Sequence, residues 1–158
     1  MKVSHGSLYP RLRKLEEDGL ITATEQVESA SENSRQVRVF AITEEGRKYF
    51  HELMMDTSSN PGEYSRLFWQ KAGNLDCLHP AEQLELIDHY LNYCQMHQLH
   101  LKAVTRNVVE SKGHYHAMPL TQLELTLHAL RRAASHWQVE AEYAGGLREK
   151  VLAKMLVE

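Results

Sequence analysis

The feature that most narrows the fold is a pair of long apolar seams in the second half of the chain. Leu84, Ile87, Leu91 and Cys94 follow a 3-4-3 spacing that resumes at Leu101 and Val108. Leu120, Leu123, Leu127, Leu130, Ala134, Trp137 and Ala141 keep a 3-4 alternation throughout. Each seam is one stripe of a helix, and stripes of this kind need partner helices to cover them. Pro80 suits the first position of a helix that should run to about Lys112, before Gly113. The second helix should span Leu120 to about Tyr143, with a break at Gly145 and Gly146 and a last amphipathic helix from Leu147 to Val157. A chain of 158 residues buries enough surface to fold without a disulfide or a metal. Two cysteines, Cys77 and Cys94, do not make a disulfide scaffold, and no secretion signal opens the chain, so a cytoplasmic location is expected. Apolar runs are far shorter than the ~20 residues that cross a bilayer, so no membrane partner is expected either.

The first 55 residues follow other periods. Leu8, Leu12 and Leu15, at i, i+4 and i+7, form a helical stripe that ends at Gly19. Pro10 should lie in the first turn of that helix, with Gly6 or Ser7 as its N-cap. Ser7, Tyr9, Pro10, Arg13 and Lys14 then take the outer sides. Ile21 to Val27 and Val37 to Ile42 are rich in β-formers around a polar SASENS tract, which predicts a β-hairpin with a long tip and with Arg35 and Arg38 on its returning side. Thr43 should cap a helix over residues 44 to 55, whose Tyr49, Phe50, Leu53 and Met54 pack back under the hairpin. Asp56 to Glu63 concentrates turn formers and predicts a linker, followed by a short helix from about Tyr64 to Ala72.

Charge agrees with this division. The net charge of −3 excludes a wholly basic protein that coats nucleic acid. The first 15 residues nevertheless hold Lys2, Arg11, Arg13 and Lys14 with no acid, and Glu16, Glu17 and Asp18 follow at once. Nucleic-acid binding through one element is therefore open. The expected architecture is mainly α with one β-hairpin. It has a winged helix-turn-helix segment over 1–55, N-terminally incomplete, a linker over 56–63, and a helical dimerisation or effector region over 64–158.

The run VSHGSLYPRLRKLEEDGLI, Val3 to Ile21, closely resembles the recognition helix of PadR-family transcriptional regulators, and FAITEEGRKYF, Phe40 to Phe50, resembles the same family's wing-to-helix junction. The resemblance implies a homodimeric repressor that binds a double-stranded DNA operator. The long helical remainder is similar to the larger subfamily, some of whose members respond to phenolic acids. On this reading Ser7, Tyr9, Pro10, Arg13 and Lys14 contact DNA at the recognition helix, and Arg35 and Arg38 contact it from the wing. The family carries two helices ahead of the recognition helix, with a histidine-glycine-tyrosine element between them, whereas only Met1 to Val3 stands there in this sequence. The expectation is an internal Met1 or a shortened product that keeps the dimerisation region, with impaired or no specific binding by the chain as written.

Other chemistries find weaker patterns. His89, Cys94 and His97 have spacing compatible with a metal site that His114 and His116 could complete, which would make a metal-responsive sensor. Cys94 also falls on the apolar seam, and paired CxxC or HExxH spacings are missing, so no metal is expected. No glycine-rich phosphate loop, GxSxG elbow or Cys/His pair occurs in its required context, so neither an enzyme nor a cofactor is expected. Asp76, Glu82 and Glu85 sit at helix starts, where they complement the dipole, and should serve in capping or solvation. Phe68, Trp69, Tyr90, Tyr93 and His97 could line an aromatic cavity for a planar phenolic effector, between the DNA-binding part and the helical part. Aromatic stripes at this spacing are more often core. A dimerisation fragment that blocks a full-length partner is the remaining alternative.

Overall fold

The computed structural model describes residues 5–27, 36–58 and 60–156, which form two compact units, Met1–Asp56 and Thr57–Glu158. In the first unit, helix α1 (His5–Glu17) is followed by strands β1 (Ile21–Val27) and β2 (Gln36–Ile42) and helix α2 (Glu44–Met55). Helix α1 starts earlier than expected, so Pro10 lies inside it rather than in its first turn. The proline has no N–H to give to the preceding turn, and the helix continues through it with one bond fewer. Gly19, at φ 72°, ends α1: its N–H donates to the Glu16 carbonyl at 3.0 Å and the Leu20 N–H to the Leu15 carbonyl at 2.9 Å. This is the Schellman pattern, which requires a left-handed residue where glycine stands.

β1 and β2 pair antiparallel from Ile21 opposite Ile42 to Val27 opposite Gln36. Thr43 caps α2, its Oγ1 accepting the Gly46 N–H at 2.9 Å. The same hydroxyl donates to the Gly19 carbonyl at 2.7 Å, and the Thr43 N–H donates to the Leu20 carbonyl at 3.0 Å. One residue therefore ties the start of α2 to the end of α1. Gly46 is needed for this closeness, because a Cβ there would stand 2.0 Å from the Leu20 oxygen. Gly46, Phe50 and Met54 share the inner face of α2, while Tyr49 and Leu53, expected under the hairpin, fall on its flank and stay exposed.

The second unit contains α3 (Pro61–Ala72), α4 (Pro80–Val109) and α5 (Leu120–Met155), with 3-10 turns at Leu75–Cys77 and Gly113–Ala117. α3 begins at Pro61 rather than Tyr64 because Asn60 caps it, its Oδ1 accepting the Gly62 N–H at 3.1 Å. α4 opens where expected, with the His79 N–H donating to the Glu82 carboxylate at 3.0 Å. It closes at Val109, short of Lys112. Ser111 turns to φ 52°, its N–H bonding the Val108 carbonyl while the Lys112 N–H bonds that of Asn107.

α5 runs unbroken through Gly145 and Gly146, so the expected break and separate last helix are corrected. Each glycine costs about 1 kcal/mol relative to alanine but does not forbid a helix. Ala144 and Val151 are buried on either side, and their packing carries the helix across. α4 and α5 lie antiparallel: Asp88 pairs with Arg148 at 2.6 Å, Tyr90 bonds Glu140, and Gln98 reaches the Trp137 carbonyl at 3.1 Å. The buried stripe of α4 is Leu86, Ile87, Tyr90, Cys94 and Val108, so the seam is turned away from Leu84, Leu91 and Leu101, which are half-buried. On α5, Leu120 and Ala134 are exposed members of the expected seam. No helix among the described residues is long and apolar enough to cross a membrane.

Candidate nucleic-acid interface and aromatic layer

With Leu8, Leu12 and Leu15 on one side of α1, helical spacing puts Pro10, Arg13 and Lys14 on the opposite face and Tyr9 on its edge. All four are exposed, Tyr9 by 61%. Ser7 belongs to α1, but its side chain lies outside the described residues, as does the whole of Arg35. Among the described residues Arg11, Arg13 and Lys14 make no ion pair, so their charge is available to an outside anion. Arg11 is an exposed cation of this helix that the sequence reading counted but did not place in the site. Arg38 on β2 is exposed, 3.7 Å from the Glu16 carboxylate and 5.7 Å from the centre of the Phe40 ring. An exposed pair of this length is worth under about 1 kcal/mol, so a phosphate can compete for the guanidinium.

The five residues expected around a cavity, Phe68, Trp69, Tyr90, Tyr93 and His97, all belong to the helical unit. The structure brings them together as a packed aromatic layer. Phe68 and Tyr90 are completely buried, their rings stacked 3.8 Å apart at 8°. His97 stacks on Trp137 at 4.1 Å and 7°, with the Tyr93 ring edge-on to both. The rings fill one another's space, as interiors packed to crystal density do. Of the five, Trp69 alone borders a described cavity, an open groove of about 510 Å³ formed with Val139, Glu142, Tyr143, Gly146, Leu147 and Lys150 of α5.

Glu140 organises this layer and was not singled out in the sequence. Its carboxylate accepts the Trp69 indole N–H at 2.6 Å, the Ser65 hydroxyl at 3.3 Å and the Tyr90 hydroxyl. Burial raises its pKa, but these donors and the nearby His136 outweigh burial and leave it below the ordinary carboxylate value. Burial, with the bond to Glu140, holds the Tyr90 hydroxyl well above the usual phenol range. Tyr64, whose hydroxyl meets His89 Nδ1 at 2.5 Å, is pushed by burial up to about 12. His97 is shifted the other way, its pKa lowered by burial and by neighbouring His100 and His136.

Among the described residues the possible metal ligands do not converge. Cys94 is completely buried on the seam, and burial raises its thiol to about 11, which disfavours the thiolate a metal needs. His89 is bonded to Tyr64, His97 is stacked on Trp137, and His116 Nδ1 lies 2.6 Å from the Gly113 carbonyl oxygen. The His114 side chain lies outside the described residues. Among the described residues no three such ligands form a metal site.

A basic helix followed by a two-stranded hairpin and a further helix, joined to a helical unit, defines a winged-helix protein, mainly α with one β-hairpin. Residues 1–52 match the family model described as "Transcriptional regulator PadR-like family". That segment is therefore PadR-like. Among solved structures, the chain is similar to Bacillus subtilis PadR in complex with operator DNA, at 16% identity over 96% of this chain and 80% of that one, with a TM-score of 0.45. It is similar to the same protein in complex with p-coumaric acid, at 16% identity over 95% and 79%, with a TM-score of 0.44. It is also similar to smu.1604c from Streptococcus mutans UA159, at 20% identity over 96% and 81%, with a TM-score of 0.35. No curated protein matches the chain.

Proposed function

We propose that this protein is a sequence-specific DNA-binding transcriptional regulator that acts in the cytoplasm as a homodimeric repressor. The observation that carries the reading is the unpaired, exposed basic face of α1 inside the segment that matches the PadR-like family. Residues 1–55 read DNA, and the helices after the 56–63 connection supply the dimer. Ser7, Tyr9, Pro10, Arg13 and Lys14 enter the major groove, where hydroxyls and cations address phosphates and base edges. Arg35 and Arg38 hold the flanking backbone or minor groove from the wing. A two-fold dimer presents two such helices about 34 Å apart, one turn of DNA, and this spacing adds the specificity that one helix lacks. A small phenolic acid-like effector would release the DNA by binding one dimer geometry better than the other. Since Phe68 and Tyr90 are sealed, it would meet the aromatic layer at Trp69, Tyr93 and His97.

Fluorescence anisotropy on DNA from the protein's own upstream region tests this, with unrelated DNA and an Arg13→Ala/Lys14→Ala variant as controls. Salt-sensitive binding should favour the upstream DNA. The variant should bind more weakly, with a salt slope smaller by about one for each lost phosphate contact. Equal binding to both DNAs, or a variant indistinguishable from the parent, would remove the reading.

A further inference from the structure

Glu16 and Glu17 put two acids in the last turn of α1, where unbonded carbonyls already concentrate negative charge. Such a placement weakens the helix end unless a cation answers it. Arg13 stands three residues before Glu16, within reach of an i,i+3 pair, yet it makes no ion pair among the described residues. Glu16 pairs instead with Arg38 of β2, whose Nη2 lies 3.7 Å from its Oε2. Glu17 has no ion pair among the described residues.

The Glu16–Arg38 pair closes across the junction of helix and hairpin. The Leu20 N–H bonds the Leu15 carbonyl and the Thr43 N–H bonds that of Leu20, so the last turn of α1 and the inner end of β2 are tied through Leu20. Arg38 stands four residues before the last residue of β2, about 13 Å along the strand. It shares a strand face with Phe40, over whose ring its guanidinium sits at 5.7 Å. A ring and a carboxylate therefore hold this cation. Both holds are weak, since the Arg38 side chain is 56% exposed and that of Glu16 33%. On α1, Glu16 lies on the flank of Tyr9 and Arg13, seven and three residues before it, beside the face that the DNA-binding reading turns to the duplex. A phosphate that reaches Arg38 meets a cation already engaged by another anion.

We propose that Glu16 is a latch on the wing: it holds Arg38 against the last turn of α1 in the DNA-free protein, and a backbone phosphate of the DNA takes its place on binding. The inference rests on the DNA-binding reading and adds to it a residue that lowers affinity. The incoming partner is a phosphate, so the exchange carries no sequence information. Glu16 thus restrains the part of binding that every duplex shares and leaves discrimination to the outer face of α1.

Anisotropy titrations of the full chain on its upstream DNA and on unrelated DNA test this in a Glu16/Arg38 double-mutant cycle. Glu16→Gln should tighten binding to both DNAs by about two- to fivefold at low salt, the worth of an exposed pair. The ratio of the two affinities should stay at the parent value, and the gain should fade as salt rises. Glu17→Gln removes a neighbouring charge without breaking a pair and should give a smaller gain. In an Arg38→Gln background, Glu16→Gln should gain no more than Glu17→Gln does, because no cation is left to release. An equal gain from Glu16→Gln in both backgrounds would reduce its effect to plain repulsion of DNA. Unchanged or weaker binding would mean that the pair does not restrain Arg38. Each of these results overturns the latch while leaving DNA binding intact. A parent chain that binds neither DNA overturns the DNA-binding reading and the latch with it.

Discussion

Replacing Gly46 by alanine should unfold the first unit selectively, at a cost that follows from the geometry. The added Cβ would lie 2.0 Å from the Leu20 carbonyl oxygen and 2.9 Å from Ile42 Cγ1. A carbon normally approaches a carbonyl oxygen no closer than roughly 3.3 Å, so α2 and the Leu20 peptide must part by about 1.3 Å. That movement breaks the bonds from the Thr43 N–H to Leu20 and from the Thr43 hydroxyl to Gly19. Two such bonds are worth about 2 kcal/mol together, and residual overpacking adds about 1–3 kcal/mol. The better helix propensity of alanine returns about 1 kcal/mol, leaving a net loss of about 2–4 kcal/mol. Both tryptophans, Trp69 and Trp137, are in the second unit, so hydrogen exchange of peptides over residues 15–50 should report the damage while tryptophan emission stays unchanged. Gly73→Ala, where the nearest atom to the new carbon is 3.5 Å away, is the control and should change little. If the Gly46→Ala peptides keep their protection, the close approach at Leu20 is not what fixes α2, and the account of this junction is wrong.

Two further outcomes concern the second unit. Glu140→Ala leaves the buried Tyr90 hydroxyl and the half-buried Trp69 indole N–H without this acceptor and should cost about 2–3 kcal/mol in urea unfolding, whereas Glu140→Gln, which keeps an acceptor, should cost about 1 kcal/mol. Equal losses would mean that packing, and not the donors, sets the penalty. His97 has a lowered folded-state pKa, so the unfolded chain binds its proton first as the pH falls. Its contribution to stability is complete above about pH 6.5. It is lost as the pH drops through the lower folded value. His97→Phe keeps a ring on Trp137 but cannot titrate. Its urea midpoint should fall less than the parent's between pH 7.5 and pH 5, and parallel pH dependence would assign the titration to other groups.

What the sequence revealed and concealed follows the range of the forces involved. The Thr43 cap, the span of α2, the start of α4 at Pro80 and both hairpin strands were legible because each rests on local chemistry: a hydroxyl beside an orphan N–H, a ring that fixes φ, branched residues in alternation. The glycine pair in α5 misled because a local cost of about 1 kcal/mol per residue was weighed without the packing of Ala144 and Val151 that offsets it. The aromatic layer was half legible. Tyr90, Tyr93 and His97 share one helix face by spacing alone, but spacing does not tell a cavity from a stack. That distinction depends on Trp137, which meets His97 from another helix, and on Phe68, which fills the space over Tyr90. Glu140 could not be found because its donors stand 50 to 75 residues away in sequence, and nothing around it in α5 separates it from a solvated acid. The basic face of α1 lies at the opposite extreme. Its polarity is encoded within four helical turns, so the order of Leu8, Leu12 and Leu15 against Pro10, Arg13 and Lys14 already determines which side is free to meet a phosphate.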